Sequence, residues 1–77
     1  MIVQGVNWVS REPTEAFTCQ VKIRYLHDPV EARVFPHSAN SVRVDFDIPQ
    51  EAVAPGQSAV FYEGDYVVGG GIIQRCS

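Results

Sequence analysis

The sequence predicts an all-β fold, a small six-stranded antiparallel barrel of Greek-key-like topology. Three observations lead there. Two segments alternate apolar and polar residues with a strict period of two: Phe17, Cys19, Val21, Ile23 and Tyr25, then Val42, Val44, Phe46 and Ile48. Turn chemistry punctuates the chain every 8–12 residues or so, the rhythm of short strands in a sandwich or barrel. No segment sustains a helical period. An open sandwich is the second architecture compatible with this pattern. Closure is favoured because it removes the exposed edges that endanger a small sheet.

The elements follow in order. Val6-Asn7-Trp8-Val9 is a short apolar lead-in, closed by the polar stretch Ser10-Arg11-Glu12-Pro13-Thr14. The first clean strand covers Phe17–Tyr25, with Thr18, Gln20, Lys22 and Arg24 on its polar face. His27-Asp28-Pro29 is a turn. Ala32-Arg33-Val34-Phe35 is a shorter strand expected to end near Pro36, because proline cannot donate to a ladder. His37-Ser38-Ala39-Asn40-Ser41 reads as a turn, followed by the strand that Pro49 ends. Gln50-Glu51-Ala52-Val53 has room for one helical turn. The remaining stretch, Ala54 to Ile73, is a hairpin: Pro55-Gly56 launches it and Glu63-Gly64-Asp65 turns it, with Gly64 free to take a positive φ. Gly69-Gly70-Gly71 stands inside the second strand of this hairpin. Three glycines there imply a bulge, a bend or close approach by another backbone.

Seventy-seven residues make one domain, 1–77, which buries only about 60–65% of its unfolded surface. With 45% hydrophobic and 19% charged residues, the composition is that of a globular chain and not a disordered one. No apolar run approaches the roughly 18 residues of a membrane span, and no signal peptide is visible. Two cysteines, Cys19 and Cys76, are too few for a secreted disulfide scaffold, so a reduced cytoplasmic setting is expected. Nine acidic against six basic residues argue against a free-standing nucleic-acid binder.

No catalytic constellation emerges. His27-Asp28 lies in a turn, and no nucleophile motif accompanies Ser38, His27 and Asp45. Cys19, Cys76, His27 and His37 lack metal-ligand spacing, so no metal site is expected. The triple glycine is followed by Ile72-Ile73-Gln74-Arg75 and not by the helix that a phosphate loop requires. What remains is a candidate binding face. Lys22 and Arg24 share one strand face with Tyr25 at its end, a combination able to grip phosphate and stack on a base. The alternative is a solvated face whose cations pair across the sheet with Asp45 or Asp47.

Four blocks occur in one known order: Lys22-Ile23-Arg24-Tyr25, Val44-Asp45-Phe46-Asp47-Ile48-Pro49, Ala52-Val53-Ala54-Pro55-Gly56-Gln57-Ser58-Ala59-Val60-Phe61-Tyr62, and Gly69-Gly70-Gly71-Ile72-Ile73. Over nearly its whole length the chain resembles the C-terminal β-barrel domain of the bacterial tRNA-specific 2-thiouridylases, the MnmA or TrmU family. The lead-in Val6-Asn7-Trp8 is similar to the segment that enters that barrel. The resemblance implies a C-terminal piece of a larger enzyme that activates C2 of a wobble uridine with ATP and installs sulfur from a persulfide donor. ATP and the catalytic cysteines belong to the N-terminal domain of that enzyme. Neither Cys19 nor Cys76 matches them, so this barrel is expected to be non-catalytic, with no cofactor of its own. The implied partners are tRNA, bound weakly, and the N-terminal catalytic and central domains of the same chain. The implied tRNA-binding residues are Arg24, Tyr25 and Gln57, with Lys22 in support. The pattern departs from the family at Leu26-His27, where a basic or polar residue is common, which implies a weaker electrostatic grip. The competing expectation is a docking barrel that touches no RNA and packs its apolar hairpin on a neighbouring domain.

Overall fold

The computed structural model describes residues 1–9, 13–23, 29–38, 40–47 and 55–75, the last without its side chain. Six strands account for most of them: β1 Ile2–Trp8, β2 Phe17–Ile23, β3 Val30–Ser38, β4 Ser41–Phe46, β5 Ser58–Glu63 and β6 Tyr66–Arg75. They close into a barrel in the order β1-β4-β3-β2-β5-β6, with every neighbouring pair antiparallel. The meander β2-β3-β4 is flanked by β1 beside β4 and by β5 beside β2, which is the Greek-key arrangement. No sheet edge is left open, and the open sandwich is set aside. Among the described residues no helix is long and apolar enough to cross a membrane.

Every strand sends at least one side chain into the centre. The largest fully buried residues are Val3 from β1, Val21 and Ile23 from β2, Val34 from β3, Val44 from β4, Phe61 from β5 and Ile73 from β6. The alternation seen in the sequence is therefore the inside-outside alternation of the barrel wall. At one end Trp8 stacks on Phe61 with ring centroids 5.8 Å apart and meets Phe17 edge-on at 6.1 Å. Such aromatic pairs contribute about 0.5–1.5 kcal/mol beyond the area they bury.

The triple glycine is explained by close approach. A Cβ at Gly69 would sit 2.7 Å from Trp8 Cε3, and one at Gly71 would sit 2.6 Å from Gln4 O and 2.8 Å from Val3 Cγ1. At Gly70 the obstacle is Ala59 O, 2.8 Å away. β6 can run between β1 and β5 only without side chains at these positions. The turn glycines behave as expected: Gly56 has φ 91° and Gly64 has φ 61°.

Several boundaries differ from the sequence reading. β1 begins at Ile2, four residues before the expected lead-in, because Met1 and Val44 exchange backbone hydrogen bonds of 3.1 and 2.7 Å that extend the β1–β4 ladder. β3 continues through Pro36 to Ser38, so His37 and Ser38 belong to a strand and not to a turn. Proline is tolerated there because the register with β4 shifts between Pro36 and Ser38, an irregularity that spares the missing donor. The last two residues of the expected strand Phe17–Tyr25, the helical turn at Gln50–Val53 and Ile48 lie outside the described residues.

Candidate nucleic-acid interface

The described candidate residues, Lys22 and Gln57, belong to the outward face of β2 and to the turn that leads into β5. On β2 the buried positions Cys19, Val21 and Ile23 alternate with half-buried Gln20 and Lys22. Lys22 therefore points out because its neighbours point in. The register sets Gln20 opposite Tyr62, Lys22 opposite Val60 and Ile23 opposite Ala59.

Gln57 lies two residues before Ala59, the partner of Ile23. Its segment is tied to β6 by two short hydrogen bonds: Gly56 N–H donates to Ile73 O and Ile73 N–H donates to Gln57 O, both at 2.8 Å. The backbone is thus fixed while the side chain is left with an unmet requirement. Gln57 Oε1 is buried and accepts no hydrogen bond among the described residues. Buried acceptors are nearly always paired, so an unpaired one calls for an explanation. Arg24 and Tyr25, the other two expected contacts, lie outside the described residues.

Beside Lys22 the outer wall forms an open groove of about 490 Å³, lined by Gln20, Lys22, Pro29, Tyr62, Gly64 and Asp65. The expected pairing of Lys22 with Asp45 or Asp47 does not occur. β3 stands between β2 and β4, and Asp45 instead accepts from Arg43 on its own strand at 3.2 Å. Among the described residues no carboxylate lies within 4.0 Å of the Lys22 ammonium. The sequence reading put Gln20 on one strand face with Lys22 but missed Tyr62 and Asp65 as its neighbours. Their only signal is the alternation that sends Phe61 inward and Tyr62 outward. It locates a groove only once β5 is known to pair with β2.

The β3–β4 face carries a different device. Arg43 places its guanidinium 4.3 Å from the ring centroid of Phe35, its register partner, while bonded to Asp45. Both charged side chains are half exposed, so this assembly orders the surface and contributes little stability. Cys19, by contrast, is buried in the core, where desolvation and the charges of Glu63 and Glu31 push its thiol up to about 12. Such a thiol is inert as a nucleophile near neutral pH.

A family model described as the aminomethyltransferase β-barrel domain matches residues 1–73 of the chain. The chain belongs to that family. The barrel is also similar to curated proteins named tRNA-specific 2-thiouridylase MnmA. It is 49% identical over 75 residues to the one from Proteus mirabilis, covering 96% of this chain and 20% of the relative. The protein from Yersinia enterocolitica is 51% identical over 76 residues, covering 97% and 20%. The cyanobacterial relative from Synechocystis is 47% identical over 72 residues, covering 92% and 20%. The chain thus spans about a fifth of the length of the curated relatives it matches. In all three the match covers nearly all of this chain.

Proposed function

We propose that this barrel is a non-catalytic tRNA-positioning domain of a larger cytoplasmic enzyme that thiolates a wobble uridine. One observation carries the reading: about half of the residues are identical, over almost the entire chain, to proteins named tRNA-specific 2-thiouridylase. ATP activation and the uptake of sulfur from a partner persulfide donor would belong to the other domains of that enzyme. Here the work falls to Arg24, Tyr25 and Gln57, supported by Lys22. A guanidinium and an ammonium supply phosphate contacts, a phenol supplies a stacking face, and the Gln57 amide supplies a donor and an acceptor. The unpaired Gln57 Oε1 supports the assignment: the residue is partly exposed, and a rotation of its side chain would exchange a buried, unsatisfied acceptor for one that meets an RNA donor.

The barrel alone is a weak binder. Two phosphate contacts give a salt slope of only about −1.5 to −2, and non-specific affinities lie near 10⁻⁴ to 10⁻⁶ M. A net charge of −3 works against even these. Tethering to the rest of the enzyme converts such a contact into orientation by raising its effective concentration. The test is tRNA affinity of the full-length enzyme carrying Arg24→Ala, with melting temperature as the folding control. A loss of about fivefold or more is expected for a charge-assisted contact, and unchanged affinity overturns the assignment.

A second reading is favoured by a different feature. On β6, Val67 is 43% exposed, Ile72 48% and Tyr66 78%. These are large hydrophobic side chains exposed at the two ends of β6, and docking on a neighbouring domain of the same chain would cover them. Val68, in the same strand, packs against the core instead. Val67→Ser with Ile72→Ser discriminates the two readings, since docking predicts weakened interdomain stability with tRNA contacts at Arg24 intact.

A further inference from the structure

The groove beside Lys22 has a chemistry that phosphate binding does not use. Lys22 and Asp65 both line it, with one positive and one negative charge that are not closed on each other within 4.0 Å. Gln20 is tied to Glu31 by a 3.4 Å contact from its Nε2, and Glu63 is the register partner of Tyr66 beside the same turn. Among the described residues acidic groups partly offset the single ammonium. A phosphate on Lys22 alone would leave Asp65 without a partner, whereas the three donors of the ammonium can serve a phosphate and a base edge together. A ligand with both donors and acceptors on one edge engages both charges. The ammonium can only donate and the ionised carboxylate can only accept. Tyr62, opposite Gln20 on the groove floor, offers a ring face, and Pro29 an apolar wall. The volume of about 490 Å³ lies within the range of small-molecule sites.

We propose that this groove holds an unstacked guanine base of the bound RNA, with Tyr62 stacking on the ring, Lys22 donating to O6 and Asp65 accepting from N1–H and N2–H. This rests on reading the barrel as an RNA-positioning domain. Guanine is the base that presents two adjacent donors beside an acceptor on one edge. Adenine presents a single donor there, hypoxanthine lacks the N2 amine, and the carbonyls of uracil would face the carboxylate. Unpaired bases in RNA are read in this way, by stacking together with hydrogen bonds to the exposed edge.

The experiment is an amide-resolved NMR titration of the 77-residue chain at low salt with GMP, IMP and AMP, the dispersed spectrum serving as the folding check. GMP is expected to shift Gln20, Lys22, Tyr62, Gly64 and Asp65, in the affinity order GMP, IMP, AMP, with GMP ahead of AMP by about fivefold or more. Asp65→Asn, in an exposed turn, is expected to abolish that order. Absent shifts, equal affinities for GMP and AMP, or an order that survives Asp65→Asn each overturn the assignment. A short oligoadenylate carrying one guanine separates the sources. Binding at least as tight as GMP supports an RNA base, and weaker binding overturns the RNA assignment. In a tRNA titration, shifts at Gln57 and Ala59 without shifts in the groove sink this inference and leave the positioning role standing. Groove shifts without movement at Gln57 support the groove and remove Gln57 from the interface.

Discussion

Trp8 and Gly69 share one space: they are register partners on β1 and β6, and the indole occupies the place a side chain at 69 would take. A Cβ there meets Trp8 Cε3 at 2.7 Å and Asn7 O at 2.8 Å. Gly69→Ala should gain about 0.4–1 kcal/mol from a stiffer unfolded chain. It should lose about 1–3 kcal/mol to overpacking. The backbone oxygen cannot swing aside, so the loss wins. We expect a net destabilisation of about 1–2 kcal/mol, or roughly 4–8 °C in melting temperature per kcal/mol for a domain of this size. Adding Trp8→Leu should cost less than the sum of the two single changes, because the ring's share of the clash is already gone. Equal or higher stability of Gly69→Ala would refute the close-approach account.

This pair also marks how far the sequence could be read. Period-two alternation located β2 and β4 because their cores are built from residues two apart, such as Val42 and Val44. β1 was hidden because Ile2 and Val3 are both buried and its register with β6 shifts between Gln4 and Asn7, so no alternation survives. That glycines at 69–71 need close approach could be guessed, but not that an indole supplies it at 69. The candidate face was legible only in part for the same reason. Lys22 announces itself on a polar strand face, whereas Tyr62 and Asp65 join it through the pairing of β5 with β2, across some forty residues of sequence. Non-local register is what the sequence does not display.

Burial gives Cys19 a pH signature. Desolvation first, then the charges of Glu63 and Glu31, raise its thiol from 9.0 to about 12 in the folded chain. Between these values the unfolded chain releases the proton and the folded chain keeps it. The native state therefore binds more protons, and stability falls as pH rises. The contribution is fully present below pH 9 and is lost progressively toward pH 12. In a Cys76→Ser background, urea unfolding should show this alkaline decline, and Cys19→Ala should flatten it. At pH 8 an aromatic disulfide reagent should modify the native chain only as fast as it opens.

The ion pair on β4 makes the opposite kind of prediction. Arg43 and Asp45 are 50% and 53% exposed at 3.2 Å, so water and salt screen most of their attraction. Asp45→Asn should change stability by less than about 0.5 kcal/mol. Arg43→Ala should cost somewhat more, because the guanidinium also lies 4.3 Å from the Phe35 centroid. Exposed cation–aromatic contacts contribute about 0.5–1 kcal/mol. Denaturant midpoints of the two variants measure the difference, and a larger loss for Asp45→Asn would reverse the ranking.

Gln57 separates a structural role from a functional one. Its Oε1 is buried and unpaired among the described residues, while its backbone oxygen is held by Ile73 N–H at 2.8 Å. A buried acceptor without a donor costs about 1–3 kcal/mol, most of it recovered when the polar group is removed at constant shape. Gln57→Met preserves length, leaves the backbone bond in place and deletes the amide. If the side chain served the fold, this change would destabilise the barrel. If it awaits an RNA donor, the barrel should hold its stability or gain up to about 1 kcal/mol, while tRNA affinity of the full-length enzyme falls about threefold to tenfold. Chemical denaturation and a tRNA titration on the same variant measure both quantities. Loss of stability with unchanged tRNA affinity would return Gln57 to an architectural role and leave Arg24 and Tyr25 to carry the interface alone.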